Sequence, residues 1–440
     1  MKKSNWLQNG FLNVFEHGLT RGFDALSTLV VLKVLPTETF GVFAIAQAWV
    51  NLSLFLFLSP EGVFYRDYGH WVNDGAHSLT SRIRILRRFS WLKLPLFILL
   101  SAVFAAASGR GLDFFYALAW AFSITLAPQI TGADREFLRV DLKLKALNFV
   151  TFFQKTLLFV GTIAAALWTR GELRTFAAIA FISLILSMLL CRLLAQKALR
   201  EMRLASDASG SQSSKADLPK NFLWNVMKDF TIWWHLSGNV WNWLLTADVL
   251  FLSWTGLSER SVGLYSSALK LANLSHAFPT ALQSVFSIWL GRKAADWAGS
   301  KQAFPPGFVR IWLGYAAGVI AQAVVLWFAS PYLFAYLSKQ KWSAEELMSV
   351  NHFFRWMLVS TVLVALGNLH QNWFIYRTLT QRFFLKVILP WGLTGAALTA
   401  AFCFAWGQVG ALWARQGVAL LYVGALVLYT QSQKKARTAL

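Results

Sequence analysis

Five polar residues near the N-terminus fall on one side of a helix. Asn13, Glu16, Thr20, Asp24 and Ser27 are spaced by 3, 4, 4 and 3 residues, the period that keeps side chains on a single helical face. Arg21 lies one residue off that stripe, within helical reach of His17 and Asp24. The pattern returns at Asn225, Lys228, Thr231, His235, Asn239, Asn242 and Thr246, and again at Ser266, Lys270, Asn273, Thr280 and Ser284. All three stripes run through apolar surroundings. An ionisable group at bilayer depth is costly and normally faces a bundle interior or water. A cation placed there either neutralises a nearby carboxylate or offers charge-assisted hydrogen bonds to an anion. A carboxylate placed there can exchange a cation, and Asp24, Glu16 and Asp248 are the candidates for coupling to a proton or sodium gradient. His235, His276, His352 and His370 read as buried hydrogen-bonding groups. No Gly-x4-Gly-Lys-[Ser/Thr] phosphate loop occurs in the chain, so ATP hydrolysis is not expected, and neither is a cofactor or a metal.

The elements that position these stripes follow from composition. The 440 residues are 56% apolar and only 14% charged, against roughly 25% charged in soluble domains. Apolar runs of helix length recur from end to end, each close to the ~20 residues that cross a hydrocarbon core. Backbone groups in lipid must be satisfied within helices or closed barrels, and runs of this length select helices. The expected spans are 11–35, 40–60, 90–108, 112–131, 146–169, 174–195, 222–255, 261–290, 308–329, 348–376, 383–406 and 410–430. The fold class expected is an all-α integral membrane protein of about 12 transmembrane helices.

Charge sets the orientation. One set of connectors collects 28 basic residues, Lys93 among them, and the other set eight, including Arg260, Lys341 and Arg415. By the positive-inside rule both termini are cytoplasmic. The same rule accounts for most of the net charge of +21 without nucleic acid as a partner. Cys191 and Cys403 both lie in apolar runs and supply no disulfide framework. The basic N-terminus runs into Glu16, Arg21 and Asp24, so no removable signal peptide is expected.

Residues 205–221, rich in Ser and small residues, read as a flexible cytoplasmic linker between an N-terminal six-helix lobe (1–204) and a C-terminal one (222–440). The halves look duplicated. A shift of 222 lays Gly41 on Gly263, and Asn51-Leu52-Ser53 on Asn273-Leu274-Ser275. Six spans per half make the repeats parallel, and transport sites lie between such halves.

The stretch from Gly18 to Tyr68 carries a polar first helix, then L-P-x-x-x-F-G-x-F-A at 35–44, then an apolar second helix reaching Gly62. It resembles the opening of Wzx-type O-antigen and polysaccharide flippases of the multidrug/oligosaccharidyl-lipid/polysaccharide (MOP) superfamily. The resemblance implies paired six-helix lobes around a cavity that opens alternately to each side of a bacterial cytoplasmic membrane. It implies a polyprenyl-diphosphate-linked oligosaccharide as substrate, membrane lipids as surroundings, and polymerase or glycosyltransferase partners for a chain that is itself a monomer. A diphosphate leaving water needs compensating donors. Arg21, Lys228 and Lys270 are the expected phosphate-binding cations, with Lys155 and Arg355 as further candidates and Asn242 and Asn273 for sugar hydroxyls. Tryptophans 233, 234, 241 and 243 are candidate sugar platforms. The opposing expectation is closed pairing, Arg21 with Asp24 or Glu16 and Lys228 with Asp229. The rival readings are an exporter of hydrophobic cations from the same superfamily, which cationic stripes disfavour, and a membrane glycan ligase or glycosyltransferase. An enzyme is disfavoured because the longest outer connector, 330–347, offers only Glu345 and Glu346 as acids.

Overall fold

Apolar runs become long helices, and among the described residues there is no strand. The computed structural model describes residues 4–64, 68, 71–72, 74–141, 143–169, 171–208, 221–280, 282–283, 286, 290, 304–338, 341–377 and 380–438. Helix α1 (Ser4–Val34) stops where Pro36 disfavours helical backbone at the residue before it, and α2 (Thr37–Ser53) begins at once. α3 (Ala76–Trp91) and α4 (Lys93–Ser108) follow. Gly109, in the left-handed conformation at φ 63°, ends α4. Then come α5 (Gly111–Ile130), the short α6 (Gly132–Val140), α7 (Leu144–Trp168) and α8 (Leu173–Ala208).

The seventh expected span is not one continuous helix. It divides into α9 (Phe222–Val226), a π-helical turn at Met227–Thr231, α10 (Ile232–Leu244), a break at residues 245–246, and α11 (Ala247–Trp254). α12 (Glu259–Ser275), α13 (Phe308–Ser338), α14 (Ala344–Arg377) and α15 (Thr380–Phe383) lead to a second π turn at Phe384–Ile388. α16 (Leu389–Thr438) kinks at Trp406 and Gly407, where φ reaches +56°. That kink falls between the last two expected spans.

Eight helical stretches among the described residues are long and apolar enough to cross a membrane. One of them, Gln381–Ser432, contains the kink and is 52 residues long, enough for two crossings. The expected spans outside this set are the first, seventh and eighth, the three that carry polar stripes.

The chain forms two compact units, Met1–Ser27 with Ser53–His235, and Thr28–Leu52 with Leu236–Leu440. In the first unit α3, α6, α7 and α8 close over a core that includes Phe64, Ile83, Phe137, Leu147 and Cys191. In the second, Trp241 packs against Trp391 and Tyr422 with ring centroids 4.8 and 4.9 Å away. The ring of Trp241, an expected sugar platform, is half-buried against these two.

The internal repeat is visible within the second unit. α2 spans Thr37–Ser53 and α12 spans Glu259–Ser275, the same 17 residues displaced by 222. The two helices cross at their equivalent glycines. A Cβ at Gly41 would collide with the carbonyl oxygen of Glu259, and one at Gly263 with that of Thr37. Thr37 and Glu259 are themselves equivalent, so the contact is reciprocal, as an isologous interface is. Glu38 and its equivalent Arg260 are ion-paired at 2.8 Å. Arg260 also grips Glu346 at 2.6 and 2.9 Å, and Trp342 Nε1 donates to Thr37 Oγ1 at 2.9 Å.

Candidate functional site

The break after Leu244 interrupts the helix and opens a polar layer in the second unit. Asp248 sits at the start of α11, 2% exposed. Its Oδ1 accepts from the backbone N–H of Val249 at 2.9 Å. Its Oδ2 accepts from Tyr265 Oη at 2.6 Å and from Arg415 Nη1 at 2.9 Å. Arg415 also donates to the carbonyl of Leu245 at 3.2 Å, and through Nη2 to Asn273 Oδ1 at 3.2 Å. One guanidinium therefore ties α11 and α12 to α16 and satisfies a carbonyl at the break, where the helical ladder is interrupted.

Two further bonds extend this layer. Asn51 Nδ2 donates to Thr246 Oγ1 at 3.0 Å, and Lys270 Nζ to Gln47 Oε1 at 2.9 Å. The second unit thus gathers Lys270, Asn273 and Thr246 from the expected stripes with Asp248, an expected ion-coupling candidate. Its organising residue, Arg415, was expected in an outer connector and stands instead inside α16, with its side chain 9% exposed. A lone arginine inside an apolar run was the signal that the charge count passed over.

The first unit has its own buried pair. Lys93, expected among cytoplasmic connector charges, is 3% exposed, and Glu61 is 4% exposed. Lys93 Nζ lies 3.2 Å from Glu61 Oε1, which also accepts from Ser90 Oγ at 2.6 Å. Lys93 further donates to the carbonyl of Gln129 at 3.4 Å. Gly132 leaves room for this carboxylate, since a Cβ there would press on Glu61. His235 is buried with its ring nitrogen 3.4 Å from the carbonyl of Phe55.

The remaining expected residues disperse. Lys155 Nζ and Asp24 Oδ1 form an ion pair at 2.5 Å in the first unit, so Asp24 pairs with α7. Phe23 packs beside it against Phe152 and Phe159. Arg355 donates to the carbonyl of Trp327 at 3.3 Å and lies 5.4 Å from its ring. Lys228, in the first π turn, and Asn242, on α10, are both exposed. The side chains of Glu16, Arg21, Asp229 and Trp234 lie outside the described residues. Among the described residues no group of three His, Cys, Asp or Glu side chains could hold a metal.

Set against solved structures, 94% of the chain matches 96% of an inward-facing multidrug resistance MATE family transporter of the MOP superfamily, with TM-score 0.65 and 12% identity. The chain shares the MATE fold. It is accordingly an all-α integral membrane protein of the twelve-helix class. An outward-facing MATE family transporter matches with TM-score 0.59 at 13% identity, covering 99% of this chain and 96% of the other. A MOP superfamily transporter from Pyrococcus furiosus, for which reverse polarity of the binding pocket suggests a different function, matches with TM-score 0.58 at 12% identity, over 98% and 95% of the two chains. No protein-family model matches the sequence, and no curated protein matches it. The break in the seventh span, the two π turns and the kink at Trp406 and Gly407 are irregular helical segments of this chain. Irregular backbone is tolerated at membrane depth only where protein or water covers it.

Proposed function

We propose that this chain is a flippase of the bacterial cytoplasmic membrane, moving a polyprenyl-diphosphate-linked oligosaccharide from the inner to the outer leaflet by alternating access. The reading assigns the substrate path to two six-helix lobes, 1–204 and 222–440, with both termini cytoplasmic. It assigns the diphosphate to Arg21, Lys228 and Lys270, and sugar hydroxyls to Asn242. The coupling ion is a proton or sodium, and Glu61 joins Asp24 and Glu16 as a candidate carrier.

The seventh span carries this reading. In a chain with a transporter fold, it leaves Lys228 and Asn242 exposed while Thr231, His235 and Asn239 on the same stripe are buried. A lysine and an asparagine left exposed at membrane depth call for water or an anion rather than hydrocarbon. Support also comes from the Pyrococcus furiosus transporter of the MOP superfamily, whose binding pocket has reverse polarity. A cation-lined path for an anion is then compatible with the architecture. The seam at Gly41, Gly263, Glu38 and Arg260 serves in this reading as the outer gate.

The test is transport in proteoliposomes loaded with a lectin-accessible polyprenyl-diphosphate oligosaccharide. Wild-type protein is expected to deliver the glycan to the opposite leaflet, and Lys228→Ala and Lys270→Ala to abolish delivery with normal insertion. Strong transport of cationic dyes with no movement of the glycan lipid would replace the reading with a multidrug exporter.

A further inference from the structure

Two helices of the first unit present arginines to the same space. On α3, Arg84, Arg87 and Arg88 share one face by their spacing of three and four. On α8, Arg192, Arg200 and Arg203 recur at spacings of 8 and 3, again on one face. All six line a groove of about 720 Å³ between the helices. Trp91 and Leu92 line it as well. The groove has a polar wall and an apolar end.

Such a concentration of one charge is unfavourable unless something answers it. Like charges at i,i+4, as at Arg84 and Arg88, destabilise a helix, and a surface of one sign repels itself. Neighbouring side chains answer part of it. Arg87 is held by Asp134 at 2.5 Å, Arg203 Nε donates to Thr80 Oγ1 at 3.2 Å, and Arg192 lies 5.6 Å from the Trp91 ring. Arg84, Arg88 and Arg200 are exposed. The anchored arginines form a fixed frame, and the exposed ones remain available. Guanidinium is the side chain suited to bidentate capture of phosphate.

We propose that this groove is a binding site for a phosphate-bearing anion, and that the phosphate belongs to a lipid headgroup. The apolar end at Trp91 and Leu92 favours a ligand that carries hydrocarbon. α3 continues directly into α4, whose side chains Ile98, Leu99 and Val103 are exposed apolar surface, so a bound headgroup has a path for its chains. The site is independent of the transported substrate. It concerns residues that the flippase reading leaves unused, and either proposal can fail alone.

The experiment uses full-length protein in nanodiscs of neutral phosphatidylcholine, with and without 10 to 20 mol% (about) phosphatidylglycerol or cardiolipin. Native mass spectrometry reads the retained lipid, and inorganic pyrophosphate titrated onto protein in neutral nanodiscs supplies the soluble arm. The variant is Arg84→Gln/Arg88→Gln/Arg200→Gln, which removes no bond that holds the helices together. Arg310→Gln, outside the groove, is the control. Anionic lipid retained by the wild type and by the control, and reduced at least about tenfold in the triple variant, supports the proposal, since bonds to charged groups are worth about a factor of ten or more each. Tight pyrophosphate binding with no preference for anionic lipid overturns the lipid assignment and leaves a soluble phosphate site. Equal retention of both probes by wild type and triple variant overturns the site itself.

Discussion

Each unit buries a carboxylate against a cation, Glu61 with Lys93 in the first and Asp248 with Arg415 in the second. The two pairs differ in how completely they are satisfied. Both oxygens of Asp248 are occupied, by a backbone N–H, a phenol and a guanidinium, and Arg415 carries two bonds more, to Leu245 and Asn273. Glu61 accepts from Ser90 and Lys93 on one oxygen, and nearby Gln129 keeps a buried Oε1 with no hydrogen-bond partner. Arginine stays charged under all ordinary conditions, whereas lysine gives up its proton when its surroundings demand it. The second unit therefore has a fixed clasp across a broken helix. The first has a looser pair, held through a single carboxylate oxygen.

That contrast can be broken most directly in the second unit. Arg415→Ala strands a buried carboxylate and opens the break at Leu245; the expected loss is about 3–5 kcal/mol, read as a fall in thermal midpoint in detergent. Asp248→Leu combined with Arg415→Met should recover much of it, because a well-packed apolar substitute for a buried pair is often neutral. A double variant as unstable as the single would show that the clasp has no electrostatic character. Next in size is the seam. Gly41→Val and Gly263→Val should each cost about 1–3 kcal/mol by overpacking, and their equivalence under the repeat predicts similar losses. A marked asymmetry between the two in the same melting assay would argue against a reciprocal contact.

Smaller effects sharpen the comparison. Glu61→Gln keeps shape and the serine bond, so a stability change near 1 kcal/mol is expected. Its larger consequence should be kinetic, with transport losing its dependence on the ion gradient in a proteoliposome assay; retained gradient dependence would remove Glu61 as a carrier. Smallest is Lys155→Gln. Its partner Asp24 is 41% exposed, and a pair so open to solvent contributes at most about 1 kcal/mol, measurable by a double-mutant cycle with Asp24→Asn.

Much of the framework was legible because it rests on local physics. The apolar runs predicted spans at 112–131 and 146–169, within two residues of the observed helices, and at 308–329, where the helix continues to Ser338. The 222-residue shift aligned Gly41 with Gly263, whereas the eighth span, expected at 261–290, is the helix Glu259–Ser275. The polar stripes pointed to Thr246, Lys270 and Asn273 because a 3–4 spacing gathers such residues on one face, and Asp248 was legible as a carboxylate in an apolar run. What escaped were the partners. Arg415 and Asp248 are 167 residues apart, and no periodicity links them. Counting charges for topology assumes that a cation near a span end lies in water, and Lys93 and Arg415 violate that assumption by being paired inside. A stripe also cannot reveal which members stay exposed. Lys228 and His235 share one face by spacing, and only packing separates the exposed lysine from the buried histidine.

The glycine crossing of α2 and α12 has a mechanical meaning. Where side chains mediate a contact, rotamers can slip and let two helices slide through many intermediate positions. Here main chain rests on main chain at both ends of a reciprocal pair, with the Glu38–Arg260 bridge alongside. Nothing at the crossing itself is free to rotate and absorb displacement. A joint of this kind is either fully seated or fully parted, so any motion through it should behave as a snap and not as a gradual flexing.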